Sequence, residues 1–287
     1  NKSVKSTGLG GEVFELPQAS ASAKLLSDMH IDDWPTGGNN ILEVRKMVDE
    51  ASRIIENGGF QFKAAVFTGD QSGEIKVLGV SWNPSTDQLR IDLNANVHEK
   101  KNGLKTGPAI DFSDVNSSMP QDVTKRMTWR LLLQDYDPFG IISVITLKGK
   151  LIMRIICLEK LEWDEKVSEE SRTRLVNYID ERRSIVNVPF PRTVVPENIT
   201  GLPMMIMFSD GSASAYCCIC YLRWPTVNGY FVVLVAAKTR VAPLKIESIP
   251  RLELLGCLTS PRLAVTVAEA LPFELAERTF LTDSTCA

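Results

Sequence analysis

The sequence predicts an α+β fold that becomes α/β toward its C-terminal end, with strands and a helix first, a helical middle, and a mixed sheet joined to one helix last. Three observations carry this. Apolar residues recur at helical spacing between Ile41 and Glu56. Residues 125–186 are dominated by helical patterning with one break. Residues 204–241 hold three strand-like apolar runs and are followed by a helix opened by Pro250. At 287 residues the chain has room for about two modest domains.

In chain order, the first 20 residues are rich in Lys, Ser and Gly, carry no periodic element and read as a truncated start. Residues 25–33 read as a strand running into a tight acidic turn, punctuated by Pro35, Gly37 and Gly38. A helix follows over 41–56, its apolar stripe formed by Leu42, Val44, Met47, Val48, Ala51, Ile54 and Ile55. Asn57, Gly58 and Gly59 end it with residues that tolerate left-handed backbone angles. Strands are expected over 60–66 and 74–81, then a turn at 83–87 and an alternating strand over 88–93. Residues 98–121 are polar and rich in Gly, Ser, Asp and Lys, and read as a linker or mobile loop. Residues 125–159 read as helix broken by Asp137-Pro138-Phe139-Gly140, with a further helix over 167–186. Pro189, Pro191 and Pro196 then predict an extended tether.

The last third carries three acidic residues in informative places. Asp210 ends the apolar strand 204–208, Glu253 lies in the first turns of the helix opened by Pro250, and Asp283 follows the short strand Phe280-Leu281. The interval between the first two leaves room for two more strands, supplied by 215–224 and 230–241. Strand ends and a helix beside them can aim side chains at one point. Several hard oxygen ligands without histidine suit divalent ions such as Mg2+ or Mn2+.

Bulk properties limit the alternatives. Lys and Arg number 32 against 35 Asp and Glu, a net charge of −3, so any contact with nucleic acid must come from local basic patches. Cys217, Cys218 and Cys220 crowd one strand, where adjacent side chains point to opposite faces, and neither His30 nor His98 is near enough in sequence to complete a zinc set. They read as small apolar residues. No signal peptide opens the sequence and no run reaches the ~18 apolar residues of a membrane span, so no membrane partner is expected and the location reads as intracellular, cytoplasmic or nuclear.

Several motifs resemble the Pol polyprotein of BEL/Pao-type retrotransposons. His30-Ile31-Asp32-Asp33-Trp34 with Thr36-Gly37 is similar to an aromatic-hydrophobic-Asp-Asp polymerase turn, and Gly58-Gly59-Phe60 follows the next helix. Val77-Leu78-Gly79-Val80-Ser81-Trp82 with Asp87 resembles the strand after the polymerase palm. Thr124-Lys125-Arg126, Asp137-Pro138-Phe139-Gly140, Ser143-Val144-Ile145-Thr146 and Leu161-Glu162-Trp163-Asp164 look like consecutive family blocks. The most specific match runs from Ala236-Ala237-Lys238-Thr239-Arg240 through Lys245 to Ile249-Pro250-Arg251-Leu252-Glu253.

The resemblance implies a reverse-transcriptase palm and thumb remnant over 1–97, a linker over 98–123, a helical connection region often labelled a Pao retrotransposon peptidase domain over 124–200, and a ribonuclease H-like domain over 201–287, an incomplete mixed sheet with helix truncated at its C-terminus. It implies metal-dependent cleavage of RNA in RNA–DNA hybrids, with Asp210 and Glu253 sharing one magnesium ion and Asp283 helping to hold the metals and orient water. Lys238, Arg240, Lys245 and Arg251 become candidates for phosphate contacts, although a solvated face accounts for them equally. The implied partners are an RNA–DNA hybrid or other nucleic acid, bound weakly, and other parts of the polyprotein.

Departures from the family pattern shape the functional expectation. His30 stands where an aromatic residue is usual, and the third polymerase aspartate belongs to an earlier region, so Asp32 and Asp33 read as a polymerase-motif remnant. The family's fourth ribonuclease H carboxylate would lie beyond Ala287. An aspartic protease needs Asp-Thr-Gly or Asp-Ser-Gly, and Asp210-Gly211-Ser212 has the wrong order. The expectation is therefore a hydrolase that is weak or inactive as this chain. The alternative is a catalytically inactive, decayed or domesticated remnant that acts as a binding protein or has no function.

Overall fold

The computed structural model describes residues 4–6, 12–14, 20–30, 33–38, 40–92, 99–101, 104–106, 110–111, 113–182, 188–245 and 247–285. Two short strands, β1 (Val4–Ser6) and β2 (Glu12–Phe14), pair antiparallel. The strand expected over 25–33 is replaced in its first half by helix α1 (Ala21–Asp28). Ser20 caps that helix by accepting a hydrogen bond from the Ala23 amide at 3.3 Å. With Leu25 packed against Met47 and Ala51 of the next helix, burial of one stripe overrides the short apolar run that resembles a strand. Helix α2 (Ile41–Asn57) begins where Asn40 accepts from the Glu43 amide at 3.0 Å.

The strand expected over 60–66 does not form. Phe62 stacks on Trp34 at 5.4 Å and the surrounding backbone stays irregular, with no strand beside it to pair with among the described residues. The strand expected over 74–81 folds back on itself as β3 (Ile75–Val77) and β4 (Val80–Asn83), because Leu78 and Gly79 take positive φ angles of 49° and 84° in a two-residue turn. β5 (Gln88–Arg90) pairs next. An antiparallel strand pair, β6 (Glu99–Lys101) with β7 (Leu104–Thr106), falls inside the stretch expected to be a mobile linker. So does α3 (Val115–Ser118). Ile110, Val115 and Met119 are buried with the helices that follow, so this polar stretch spends its few apolar residues on a core.

The helical middle forms as expected: α4 (Lys125–Leu132), α5 (Ser143–Leu158) and α6 (Glu169–Arg182) pack around Leu131, Ile156, Leu175 and Ile179. Arg182 and Asp135 form an ion pair that is almost wholly buried. The proline-rich tether runs back to the N-terminal unit, where β8 (Phe190–Pro191) completes a four-stranded sheet in the order β3-β4-β5-β8. Arg192 fixes it by donating to both carboxylate oxygens of Asp87, at 2.6 and 3.0 Å.

The C-terminal sheet follows the sequence pattern closely. β9 (Met204–Gly211), β10 (Ala215–Thr226) and β11 (Gly229–Val241) form an antiparallel meander, α7 (Ile249–Ala270) crosses over it, and β12 (Glu277–Thr282) returns parallel to β9, giving the order β11-β10-β9-β12. Met205, Met207, Cys220, Leu222 and Trp224 fill the face beneath Ala264 and Val267 of α7. The break Asp137-Pro138-Phe139-Gly140 has a docking role: the Ala237 amide of β11 donates to the Phe139 carbonyl at 2.7 Å, and a Cβ on Gly140 would lie 1.9 Å from the Ala237 oxygen. The helical unit thus closes the outer edge of the sheet. No helix among the described residues is long and apolar enough to cross a membrane.

Candidate functional site

Asp210 occupies the penultimate position of β9, opposite Cys217 of β10. Strand alternation sends Met205, Met207 and Ser209 toward α7 and leaves Asp210 exposed with Phe208 on the other side. One Asp210 oxygen accepts from the Gly211 amide at 2.7 Å. Burial, reinforced by the Asp210 charge across the strand pair, pushes the Cys217 thiol up, whereas the hydrogen bond to the Asp210 backbone works in the opposite direction. Burial also holds the Cys218 and Cys220 thiols up at about 11 and about 12. Their expected role as small apolar residues agrees with both being buried.

Two glycines bring Glu253 to the end of β9. A Cβ on Gly211 would lie 2.4 Å from the Glu253 nitrogen and 2.6 Å from the Leu252 carbonyl carbon, so the first turns of α7 rest directly on the strand end. A Cβ on Gly256 would lie 2.8 Å from the Asp210 carbonyl oxygen. Neither glycine was singled out from the sequence, although a glycine inside an apolar helix is a sign of close backbone approach. The third carboxylate arrives by register. Thr282, the last residue of β12, pairs with Ser209, so Asp283 leaves the sheet at the end where Asp210 lies. Ser284 donates to a Glu253 carboxylate oxygen at 2.5 Å, tying this strand end to the helix.

The main chains of Asp210, Glu253 and Asp283 therefore meet at one end of the sheet. Their carboxylates do not form a ready-made cage: among the described residues no group of three His, Cys, Asp or Glu side chains is gathered so that it could hold a metal ion. Donor chemistry and backbone placement suit Mg2+ or Mn2+, and the side-chain arrangement does not display that ion's ligand set. Asp33 lies far away in sequence and fold, in a tight turn where the His30 and Asp33 backbones exchange hydrogen bonds at 2.8 and 2.9 Å. Asp32 lies outside the described residues.

The four basic candidates divide. Lys238 and Arg240 are exposed on β11, at positions that pair with Cys218 and Tyr216. Arg251 is engaged with Glu247 at 3.0 Å on the first turn of α7. Lys245 is exposed in the connection that precedes α7.

Comparison with known proteins adds the following. A family model described as the Pao retrotransposon-like RNaseH-like domain matches residues 124–284. No curated protein matches the chain. Among solved structures, the foamy viral protease-reverse transcriptase dRH in complex with double-stranded DNA is similar over 86% of this chain, at 13% identity and a TM-score of 0.38. The chain spans 37% of that protein's length.

Proposed function

The chain belongs to the Pao retrotransposon-like RNaseH-like domain family, and on that premise we propose that residues 201–287 serve metal-dependent cleavage of the RNA strand in an RNA–DNA hybrid. A divalent ion, when bound, would neutralise charge on the phosphodiester and favour deprotonation of the attacking water. Asp210 and Glu253 are the residues proposed to hold it, and Asp283 to complete the donor set and orient water. The observation that supports this reading is the seating of Gly211 on the Leu252-Glu253 peptide, which brings the backbone that bears Glu253 against the strand end that bears Asp210. The turn at Asp33 and the β3-β4-β5 hairpins support reading residues 1–97 as reverse-transcriptase palm and thumb, with other parts of a polyprotein as natural partners.

A second reading, a remnant that binds nucleic acid without cleaving it, is favoured by one observation. Although the main chains of the trio meet at one sheet end, their side chains are not gathered into a metal-holding group among the described residues. The test is release of labelled RNA from a hybrid in Mg2+ or Mn2+, using this chain, a chain extended to carry the next carboxylate, and Asp210→Asn in the extended chain. Slow or no release from the first, restored release from the second and loss in the third are expected. A well-folded extended chain that still fails to cleave would leave only the binding reading.

A further inference from the structure

Helix α7 has two flanks, and the one facing away from the carboxylates carries a different chemistry. Between it and the β10-β11 ribbon runs a groove of about 130 Å3 whose polar lining is Tyr216, Lys238, Arg240, Thr259, Arg262 and Thr266, beside three leucines of α7. The two strand cations are alternate residues on β11, so they project to one side about 6.8 Å apart along the strand. Thr259, Arg262 and Thr266 recur at helical spacing and border the groove from above. The two threonine hydroxyls already donate back to the Leu255 and Arg262 carbonyls, which leaves them as acceptors toward the groove. Tyr216 adds a phenol at the inner end.

Charge decides what this groove can take. Among the described residues the side chains of Lys238, Arg240 and Arg262 have no ion-pair or hydrogen-bond partner, whereas Arg251 nearby is paired with Glu247. No carboxylate lines the groove. Three unpaired cations converging on one cleft, in a chain whose net charge is −3, form a local positive trough within a negative molecule. A volume of about 130 Å3 holds a few backbone groups of one strand and not a duplex. Tyr216 pairs with Gly211, the residue after Asp210, so the groove reaches the same end of the sheet as the proposed cleavage site.

We propose that this groove binds the phosphodiester backbone of a single nucleic-acid strand, with Lys238, Arg240 and Arg262 each meeting a phosphate and Tyr216 at the end nearest Asp210. The proposal rests on the nucleic-acid reading above and names the groups that grip the strand, with Arg262 replacing Arg251 as the helix-borne contact. Because gripping a backbone needs no metal, it is separable from cleavage. The test measures binding of a fluorescein-labelled single-stranded 20-mer by anisotropy in EDTA, across a salt series, for the full chain, for Lys238→Gln/Arg240→Gln/Arg262→Gln, and for Arg278→Gln on β12, the edge strand at the opposite side of the sheet from β11. All three groove substitutions are at exposed positions, and circular dichroism checks that the fold is kept.

Loss of three phosphate contacts should weaken binding about tenfold or more at low salt and reduce the slope of log affinity against log salt by about 2. Arg278→Gln should leave both unchanged. An unchanged slope in the triple variant, or an equal fall in Arg278→Gln, would overturn the proposal by showing that binding is diffuse or elsewhere. Because the binding assay is run in EDTA, where no metal-dependent cleavage can occur, failure to cleave and failure to grip are distinguished.

Discussion

Replacing Gly211 by alanine tests how closely α7 is pressed on the strand that bears Asp210. The new Cβ would lie 2.4 to 2.7 Å from the Glu253 nitrogen, the Leu252 carbonyl carbon and the Glu253 Cα, where ordinary contact begins at 3.4 Å. All three obstacles are backbone atoms, so no side chain can swing aside, and the helix must retreat by about 1 Å. Overpacking of this kind costs about 1–3 kcal/mol, and a backbone obstacle places it near the upper end. The lost flexibility of the unfolded chain returns about 0.4–1 kcal/mol, which leaves a net loss of about 2 kcal/mol. Melting should therefore drop by about 4–8 °C. Differential scanning calorimetry of Gly211→Ala against Gly73→Ala supplies the comparison, because a Cβ on Gly73 meets nothing within 4 Å. Equal melting temperatures for the two variants would refute the tight seating and, with it, the argument that brings Glu253 to Asp210.

Two further outcomes follow from charged contacts. Arg182→Met removes the cation from an ion pair whose side chains are both almost wholly inaccessible, and should cost about 3–5 kcal/mol in urea unfolding, while Asp135→Leu with Arg182→Met should recover much of that loss. Burial raises the Asp87 pKa, but the Arg192 guanidinium and hydrogen bonds from Trp82 and Thr68 outweigh it and hold the carboxyl below its ordinary value. That contribution to stability is fully present above the unfolded value and fades as pH falls through the lower folded one, so Asp87→Asn should flatten the acid limb of the stability profile measured by urea unfolding. An equally steep acid limb in the variant would show that Asp87 is not its source.

The sequence reveals the C-terminal sheet well because each strand has one buried face. The alternation of Met205, Met207 and Ser209, and of Cys218, Cys220, Leu222 and Trp224, is a direct image of α7 lying across them. It reveals the N-terminal part less well because those elements are short and held by particular contacts. Residues 25–28 form a helix on the strength of the Ser20 cap and one stripe against α2, and 60–66 stay irregular although apolar. The turn at Leu78-Gly79 hides inside a strand-like run, since leucine rarely takes a positive φ. At the site, the order of Asp210, Glu253 and Asp283 is visible in the sequence, but the tie from Ser284 and the seating of Gly211 and Gly256 depend on long-range packing. Arg262 escapes notice because its partners, Lys238 and Arg240, join it only across the helix-sheet boundary.

The parallel return of β12 beside β9 has a consequence for biogenesis. A parallel pair needs a long crossover, and here the chain from 212 to 276 must be made before the second edge of β9 can close. The antiparallel meander can assemble early, since its contacts are local, whereas its open border carries Phe208 and waits for a partner some seventy residues downstream. During synthesis that border is the place where a nascent chain would pair with the wrong strand, and any slowing of translation within α7 should lengthen the exposure.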